Sequence, residues 1–326
     1  MSIIVAGGAG FIGLNLTKEL LKRGKSIIIL DNFSNGKKLF FNRIKNSHSL
    51  KVIECELSRL DEIYKAIEKI KYQVESIDAI WHLAANSDIS NGIKNPKIDL
   101  QDTFMTTFNL LEAAKKYSIK DFFFTSSSAV YGNHGDKKIN ENSGPLIPIS
   151  NYGAMKLASE AICFSAYESF LKKLRIYRLP NVVGTPATHG VILDFINKLN
   201  KKPLKLEVLG NGEQRKSFLH VNDLIEGMLY LSETNLEENC NPIFNLGQKE
   251  LSVKVSWIAK QVVLKFSPKA EIVYENKDRG WLGDIPIFSY DTQKAIRFGW
   301  SPKMNSEQAI NLAIDQIIKD HNHKII

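Results

Sequence analysis

Short apolar runs of strand length alternate with longer segments in which apolar residues recur near helical spacing. The runs predict strands at 3–6, 26–30, 50–54, 77–83, 121–125 and 174–178. The segments between them predict a helix from Leu14 that ends before Gly24, and further helices at 61–71, 99–117 and 151–172. Alternation of this kind predicts a parallel sheet with helices on both faces. Right-handed crossovers make such an α/β sheet doubly wound.

A glycine turn joins the first predicted strand to the first predicted helix. Gly7 permits the tight turn, Gly10 leaves the backbone open to a pyrophosphate, and Gly13 allows close packing of the helix. The N–H groups at the start of the helix favour an anion. Asp31 ends the second strand, where a carboxylate can accept both ribose hydroxyls of an adenosine and repels a 2′-phosphate. The unit predicts a Rossmann-type dinucleotide site that prefers NAD to NADP.

The regular alternation is lost after Pro180, where glycines and prolines separate shorter elements. A helix pattern returns at 222–231, and strand patterns return at 243–246 and 272–274. We therefore predict two domains that are not contiguous blocks. The NAD-binding Rossmann domain comprises 1–178 and 217–247, and the smaller C-terminal substrate domain comprises 179–216 and 248–326.

The composition limits which partners we expect the protein to bind and in which cellular compartment we expect it. The 326 residues carry a net charge of +8, but no basic block is interleaved with aromatic residues, so we expect no nucleic-acid binding. Cys55, Cys163 and Cys240 lie far apart, and the histidines suggest no ligand set, so we expect a reducing compartment and no metal site. No apolar run is long enough to span a bilayer. We predict a cytoplasmic protein without a membrane partner.

Tyr152 and Lys156 are four residues apart at the start of a predicted helix, so they share one face. A neighbouring ammonium and a bound nicotinamide cation would lower the pKa of a tyrosine. Hydroxyl side chains at 125–128 follow a predicted strand, at the sheet edge where open α/β folds bind ligands. Either pattern alone is common on surface helices and in loops. Together with a dinucleotide site they predict a proton-relay site.

Several further motifs follow one another in a fixed order. The motifs are Gly7-x-x-Gly10-x-x-Gly13, 31–36, 82–85, 109–113, 126–132, Tyr152-x-x-x-Lys156, 178–184, 210–214 and 218–223. In this order they resemble the extended short-chain dehydrogenase/reductase family, and within it the NAD-dependent nucleotide-sugar epimerases of the UDP-galactose 4-epimerase type. The resemblance covers nearly the whole chain.

The resemblance implies a role for each matching residue. Tyr152 would be the catalytic base, Ser127 the hydroxyl that shares the substrate proton, and Lys156 the residue that holds the ribose and tunes Tyr152. NAD would also contact Gly7, Gly10, Phe11, Ile12, Gly13, Asp31, Asn32, Ser34, Asn35, Gly36, Glu56, Leu57, Leu83, Ala84 and Ala85. The nucleotide sugar, a UDP-sugar in preference, would contact Ser127, Asn181, Arg215, Lys216 and Arg279. The resemblance also implies a part in polysaccharide biosynthesis.

The residues after the catalytic hydroxyl favour epimerisation at C4 through a 4-keto intermediate. The family's 4,6-dehydratases have acidic residues there, whereas this chain has Ser128 and Ala129. An oxidoreductase, a decarboxylase or a dehydratase acting on a nucleotide sugar is the alternative. A non-catalytic dinucleotide-binding protein fits less well, because Ser127, Tyr152 and Lys156 are all present.

Four departures from the family pattern concern the ligands. Glu56 replaces the usual aspartate beside the adenine, and Thr103 and Thr106 replace an asparagine and a glycine. Lys216 stands where a phosphate-binding arginine is expected, with Arg215 beside it, and Arg279 is displaced by two positions. Which of these cations holds the diphosphate therefore stays open.

The resemblance also implies a homodimer. The joining surfaces would be the predicted helices at 99–117 and 151–172. Their apolar residues exceed what one face of a sheet needs to bury; examples are Phe104, Phe108, Leu111, Ala161, Phe164 and Phe170.

Overall fold

The computed structural model describes residues 2–44, 48–135, 137–238, 240–248, 252–277, 285, 287 and 289–323. Its strands are β1 (Ser2–Ala6), β2 (Ser26–Asp31), β3 (Leu50–Glu54), β4 (Ile77–His82), β5 (Asp121–Ser127), β6 (Lys173–Leu179), β7 (Asn181–Val183), β8 (Lys205–Val208), β9 (Arg215–Lys216), β10 (Phe218–His220), β11 (Ile243–Asn245), β12 (Val253–Lys254) and β13 (Glu271–Tyr274). Its α-helices are α1 (Phe11–Lys22), α2 (Leu60–Lys71), α3 (Ile89–Lys94), α4 (Pro96–Asp99), α5 (Thr106–Lys116), α6 (Asn151–Ser169), α7 (Val191–Lys201), α8 (Val221–Glu233), α9 (Val255–Phe266), α10 (Gln293–Arg297) and α11 (Ser306–Asn322).

The central sheet has seven strands in the order β11-β6-β5-β4-β1-β2-β3. The pairs β1–β2, β2–β3, β1–β4 and β4–β5 are parallel. Both faces of β1 are buried: Ile4 packs in a core with residues of α2, α5 and α6, while Ile3 and Val5 lie on the opposite face. The predicted fold class, an α/β doubly wound sheet, is confirmed.

The strand order reverses between β1 and β4, so the carboxyl ends of these strands flank a crevice. Open α/β sheets bind ligands at such a switch point. The backbone N–H groups of Leu83 and Ala84 both donate to the carbonyl of Ala6, at 2.9 and 3.1 Å. The glycine turn after β1 is thereby held against the end of β4.

The predicted helix at 99–117 is not one regular helix. A π-helical segment, Leu100–Met105, separates α4 from α5. The hydroxyls of Thr106 and Thr107 donate to the carbonyl of Thr103, at 3.1 and 3.0 Å, so side chains bond a carbonyl in the wider turn. The period of the apolar residues does not reveal such a turn, because the register changes by only one residue.

The helix predicted at 151–172, which carries Tyr152 and Lys156 and which we call the catalytic helix, also ends earlier than predicted. The last residue of α6 is Ser169, and the N–H groups of Lys172 and Lys173 both donate to the carbonyl of Lys120, at 2.8 and 3.2 Å. These bonds turn the chain from α6 into β6. Residues 170–172 therefore form a connection and not a last helical turn.

Contacts divide the chain into two units. The first comprises Met1–Val130, Ile147–Arg178 and Ser232–Phe244, and the second comprises Tyr131–Leu146, Leu179–Leu231 and Asn245–Ile326. Thus 131–146, 217–231 and 245–247 belong to the second unit, although the predicted domain boundaries placed them in the first. Compactness does not show which unit binds which ligand, so the predicted domain roles remain predictions.

The second unit has its own apolar core under small strand pairs. β7–β10 and β8–β13 are parallel, whereas β9–β12 is antiparallel. Residues from α7, α9 and α11 pack in one buried cluster, which includes Phe195, Ile258 and Ile310. Across the described ranges of both units, every helix is too short or too polar to cross a membrane.

Candidate active site

The glycines of the turn after β1 are needed for two different reasons. Gly7 has a φ of +81°, and a Cβ there would lie 2.5 Å from the backbone nitrogen of Ala84. A Cβ on Gly13 would lie 2.2 Å from the carbonyl oxygen of Gly7. A Cβ on Gly10 would meet only that carbonyl, at 3.4 Å. Sterics therefore require Gly7 and Gly13, while Gly10 keeps open the space before α1 that a diphosphate needs.

The start of α1 suits an anion. Gly10 is the N-cap and offers no side chain to the first N–H groups of the helix, so these donors stay available to a ligand. Phe11 and Ile12, the first two helical residues, are half-buried at the same place. This geometry fits the diphosphate of a dinucleotide.

Asp31 is placed by the glycine turn itself. Its Oδ2 accepts the N–H of Ala9 at 2.8 Å, and its Oδ1 accepts the N–H of Phe33 at 2.8 Å. Burial raises the pKa of Asp31, although these two backbone donors act in the opposite direction. Each carboxylate oxygen keeps a further lone pair for a ribose hydroxyl. The predicted contact with ribose remains a prediction, and the structure adds a second task for the same carboxylate.

The turn after Asp31 borders the predicted adenine side. Asn32 donates to Glu56 at 2.7 Å and accepts the N–H of Ser34 at 3.0 Å. Burial favours protonation of Glu56, but hydrogen bonds from Asn32 and Ser58 outweigh it and lower the pKa of Glu56.

Close packing also holds Gly36 and Leu57, two further predicted NAD contacts, in place. A Cβ on Gly36 would lie 2.5 Å from the carbonyl of Ala9, so Gly36 packs directly on the glycine turn. Leu57 is buried, and its carbonyl accepts the side chain of Asn109 at 3.0 Å. Asn32, Ser34 and Asn35 stay exposed on this rim, and Leu83, Ala84 and Ala85 are half-buried beside it. The structure thus gathers the predicted NAD contacts around the end of β1.

The predicted catalytic residues come together where β5 ends and α6 begins. The side chain of Ser127 lies close enough to the hydroxyl of Tyr152 to act on its pKa. The Nζ of Lys156 donates to the carbonyl of Thr125 at 2.7 Å and lies 5.8 Å from the centre of the Tyr152 ring. A Cβ on Gly153 would lie 2.5 Å from the carbonyl of Ala129, so α6 begins in direct contact with the turn after β5.

Burial dominates the electrostatics of Tyr152. It raises the pKa of Tyr152 to about 12, although Ser127 acts in the opposite direction. Burial also lowers the pKa of Lys156 to about 7. The expected lowering of the Tyr152 pKa by Lys156 together with a bound nicotinamide cation remains a prediction for the loaded protein.

The sequence reasoning missed two buried residues beside the site. Glu160 lies one turn after Lys156 and accepts Arg178 in a bidentate ion pair, with distances of 2.9 and 2.7 Å. The four-residue spacing from Lys156 was a readable signal for Glu160. Nothing local in the sequence pairs it with Arg178, because the two meet only when α6 packs on the sheet.

Apart from Ser127, the candidate contacts to the nucleotide sugar belong to the second unit. Asn181 donates to the carbonyl of Ser217 at 3.4 Å. In the antiparallel pair of β9 and β12, Lys216 is opposite the buried Val253, and Arg215 is opposite Lys254. Arg279 falls outside the described residues.

The pairing assigns different faces to the two adjacent cations. Side chains that are directly opposite in a strand pair share a face. Arg215 therefore lies on the face of Lys254, whose Nζ donates to Glu213 at 2.6 Å, and the charge of Arg215 helps to lower the pKa of Glu213. Lys216 lies on the other face of β9, with Val253.

Among the described residues, no three His, Cys, Asp or Glu side chains converge as a metal site would require.

Comparisons with known proteins show which proteins this chain is similar to. A family model described as "NAD dependent epimerase/dehydratase family" matches residues 3–247. The UDP-glucose 4-epimerase of Bacillus subtilis is 29% identical over 94% of this chain and 94% of that protein. UDP-glucuronic acid decarboxylase 2 of Arabidopsis thaliana is 30% identical over 100% of this chain and 69% of that protein. The crystal structure of a UDP-galactose 4-epimerase has a TM-score of 0.83 at 31% identity and covers 98% of this chain and 99% of that one.

Proposed function

Because the chain belongs to the NAD-dependent epimerase/dehydratase family, we propose that it is a nucleotide-sugar 4-epimerase that keeps its NAD bound through the reaction. The observation that carries this is the meeting of three groups: Ser127 lies beside the hydroxyl of Tyr152, and the buried Nζ of Lys156 lies 5.8 Å from the centre of the Tyr152 ring. All three groups lie at the carboxyl edge of the sheet that also carries the dinucleotide turn. A protein that only bound a dinucleotide would need the turn and not these groups.

The residues of the site can carry out both halves of an epimerisation. Tyr152 removes the proton of the sugar 4-hydroxyl, and Ser127, which lies beside the Tyr152 hydroxyl, shares that proton. NAD, which the glycine turn and Asp31 would hold, would supply the capacity to take up a hydride from C4 and give it back. Lys156 supplies the positive charge beside Tyr152, and Tyr152 returns the proton after the 4-keto sugar has turned its other face. Only the stereochemistry at C4 changes.

The end of β5 favours this reaction over an elimination. Ser128 and Ala129 follow Ser127, so this turn offers no carboxyl group to protonate a leaving hydroxyl. The carbonyl of Ala129 is packed against Gly153, which leaves the turn little freedom to move another group into that place. Decarboxylation of a sugar acid remains the competing outcome in the product test below.

We further propose that Lys216, and not Arg215, contacts the diphosphate of a UDP-sugar, together with Asn181. Arg215 shares its face with Lys254 and Glu213 and is already engaged electrostatically with that carboxylate. Lys216 shares its face with a core residue. Arg279 is kept as a candidate on its sequence position alone.

We also propose that the protein is a cytoplasmic homodimer with a part in polysaccharide biosynthesis. All three cysteines are free thiols, which supports a reducing compartment. Leu100 and Phe108, which lie on the helical segments at 99–117, are 44% and 41% exposed in the single chain. A second copy pairing there would cover them. Light scattering at micromolar concentration should show a dimer, and a stable monomer would refute the pairing.

Product analysis tests the proposed reaction. The enzyme is incubated with UDP-, dTDP-, CDP- and GDP-sugars and only catalytic amounts of NAD, and any ligand that co-purifies is identified by mass spectrometry. We expect two epimers to interconvert without net reduction of the cofactor. Stoichiometric NADH would instead show a dehydrogenase, and release of carbon dioxide a decarboxylase.

A further inference from the structure

Three buried side chains connect β5, α6 and β6 behind the catalytic residues, and we refer to them as the Glu160 network. Its members are Ser126, Glu160 and Arg178, which are 2%, 3% and 2% exposed. The hydroxyl of Ser126 donates to Oε1 of Glu160 at 2.5 Å. Arg178 donates to Oε1 and to Oε2, at 2.9 and 2.7 Å. The carboxylate therefore accepts three hydrogen bonds from two strands of the sheet.

We infer that Glu160, held by Arg178 and Ser126, is a positioning residue that keeps Lys156 in its charged form beneath Tyr152. The inference rests on the proposed function, since it assigns to Glu160 a task in that reaction. Glu160 does not touch the reacting atoms and would act through Lys156, which precedes it by one helical turn.

The groups around Lys156 leave Glu160 as the relevant negative charge. Thr125 contributes a carbonyl from β5, and Phe124 contributes a ring face at 4.7 Å. Burial lowers the pKa of His82 on β4 well below its ordinary value, so this ring is neutral. Burial raises the pKa of Cys163 on α6, so this group stays a thiol.

The two members of the ion pair act on Lys156 in opposite directions. Burial lowers the pKa of Lys156 to about 7, while Cys163 and Glu160 act in the opposite direction, and Glu160 is the one that forms an ion pair. Replacing Glu160 by a neutral residue leaves the guanidinium of Arg178 as an uncompensated buried cation on the same side. Replacing Arg178 leaves the carboxylate uncompensated. The first change should favour the neutral amine of Lys156, and the second should favour the ammonium.

Direct titration of Lys156 tests this without any activity assay. The Nζ of lysine is observed by nitrogen NMR of labelled NAD-free protein, and the Lys156 signal is assigned with Lys156→Arg. In Glu160→Gln we expect the midpoint to fall by about one pH unit, which is a tenfold change in the equilibrium. In Arg178→Met it should rise, and in the double variant the two shifts should largely cancel. The control is Glu168→Gln, an exposed carboxyl on the same helix, which should leave the midpoint unchanged.

Kinetics supply the second readout. In Glu160→Gln the high-pH limb of kcat should move to lower pH, so that kcat near pH 8 falls roughly tenfold while KM stays within about twofold. If the network has only a structural role, both single variants should be less stable, but the titration midpoint of Lys156 and the high-pH limb of kcat should not move. That result would overturn the inference. Opposite shifts in two variants also cannot come from a general loss of folding. If the unchanged enzyme epimerised nothing, the proposed function would fail, and the lysine titration would still decide whether the network acts on Lys156.

Discussion

The backbone N–H of Ala9 donates to Oδ2 of Asp31 at 2.8 Å, so the residue predicted to recognise the ribose also holds the glycine turn. The predicted recognition of the ribose and the shape of the glycine turn therefore depend on one carboxylate. We expect Asp31→Asn to weaken NAD binding and to lower the free energy of unfolding, because an amide cannot accept both N–H groups. A lost buried hydrogen bond costs about 1–3 kcal/mol. Calorimetry and urea unfolding measure the two effects, with the exposed Glu75→Gln, which lies outside the predicted site, as the control.

The same carboxylate predicts the choice of cofactor. A 2′-phosphate would face the negative charge of Asp31, so NADP should bind at least about tenfold more weakly than NAD, which is about 1.4 kcal/mol. Calorimetric titration of the apo protein with each dinucleotide measures the difference. Tighter binding of NADP would show that Asp31 does not face the ribose.

Tyr152→Phe should lower kcat by roughly a hundredfold to ten-thousandfold, the usual contribution of a general base, and leave NAD bound. Tyr167→Phe, on the same helix, is the matched control and should stay close to full activity. Lys156→Ala should reduce both the affinity for NAD and the rate. A Tyr152→Phe enzyme that retained its turnover would exclude Tyr152 as the base.

The ionisation of Tyr152 should respond to the cofactor. Burial raises its pKa to about 12 in the protein alone. Binding of NAD brings a positive nicotinamide ring into the site, so the phenolate should form at lower pH in the loaded protein. The difference in ultraviolet phenolate absorbance between the wild-type protein and Tyr152→Phe, with and without NAD, measures the shift. An unchanged midpoint would contradict the explanation of how the base becomes active.

Lys216→Ala should raise KM for the nucleotide sugar by roughly tenfold to a hundredfold, as expected for a lost charged hydrogen bond. Lys216→Arg should keep most of the affinity. Arg215→Ala is the matched control on the adjacent position and should have a small effect, because its side chain lies on the face of Lys254. The reverse ranking of the two alanine variants would assign the diphosphate to Arg215.

His82 predicts how stability changes with pH. Burial lowers its pKa well below the ordinary value of 6.5, and the charge of Lys156 acts in the same direction. The unfolded chain therefore takes up a proton that the folded chain refuses, and stability should fall as the pH drops below 6.5. The contribution is at most about 1.4 kcal/mol per pH unit. We measure the free energy of unfolding by urea at several pH values. It should change less steeply with pH in His82→Asn than in the wild type, while the exposed His323→Asn should match the wild type.

The local parts of the site were predictable from sequence, and the parts made by packing were not. Gly7, Gly10 and Gly13 follow a strand within one turn, and Tyr152 and Lys156 are one helical turn apart, so neighbouring residues specify both motifs. The partnership of Glu160 with Arg178 joins a helix to a strand and leaves no periodic signal. The effect of burial on the pKa of Tyr152 is equally hidden from the sequence, because it depends on residues that are distant in the chain.

The Glu160 network limits how the catalytic helix can move. It connects the middle of α6 to the ends of β5 and β6 through a buried ion pair and a buried hydrogen bond. Swinging α6 outward would expose two unpaired buried charges, so the backbone amides around Glu160 should exchange with solvent only when the whole unit unfolds. Hydrogen exchange there should be among the slowest in the protein. If the keto sugar must present its second face, the substrate itself has to rotate, because α6 and the strands β5 and β6 keep their positions.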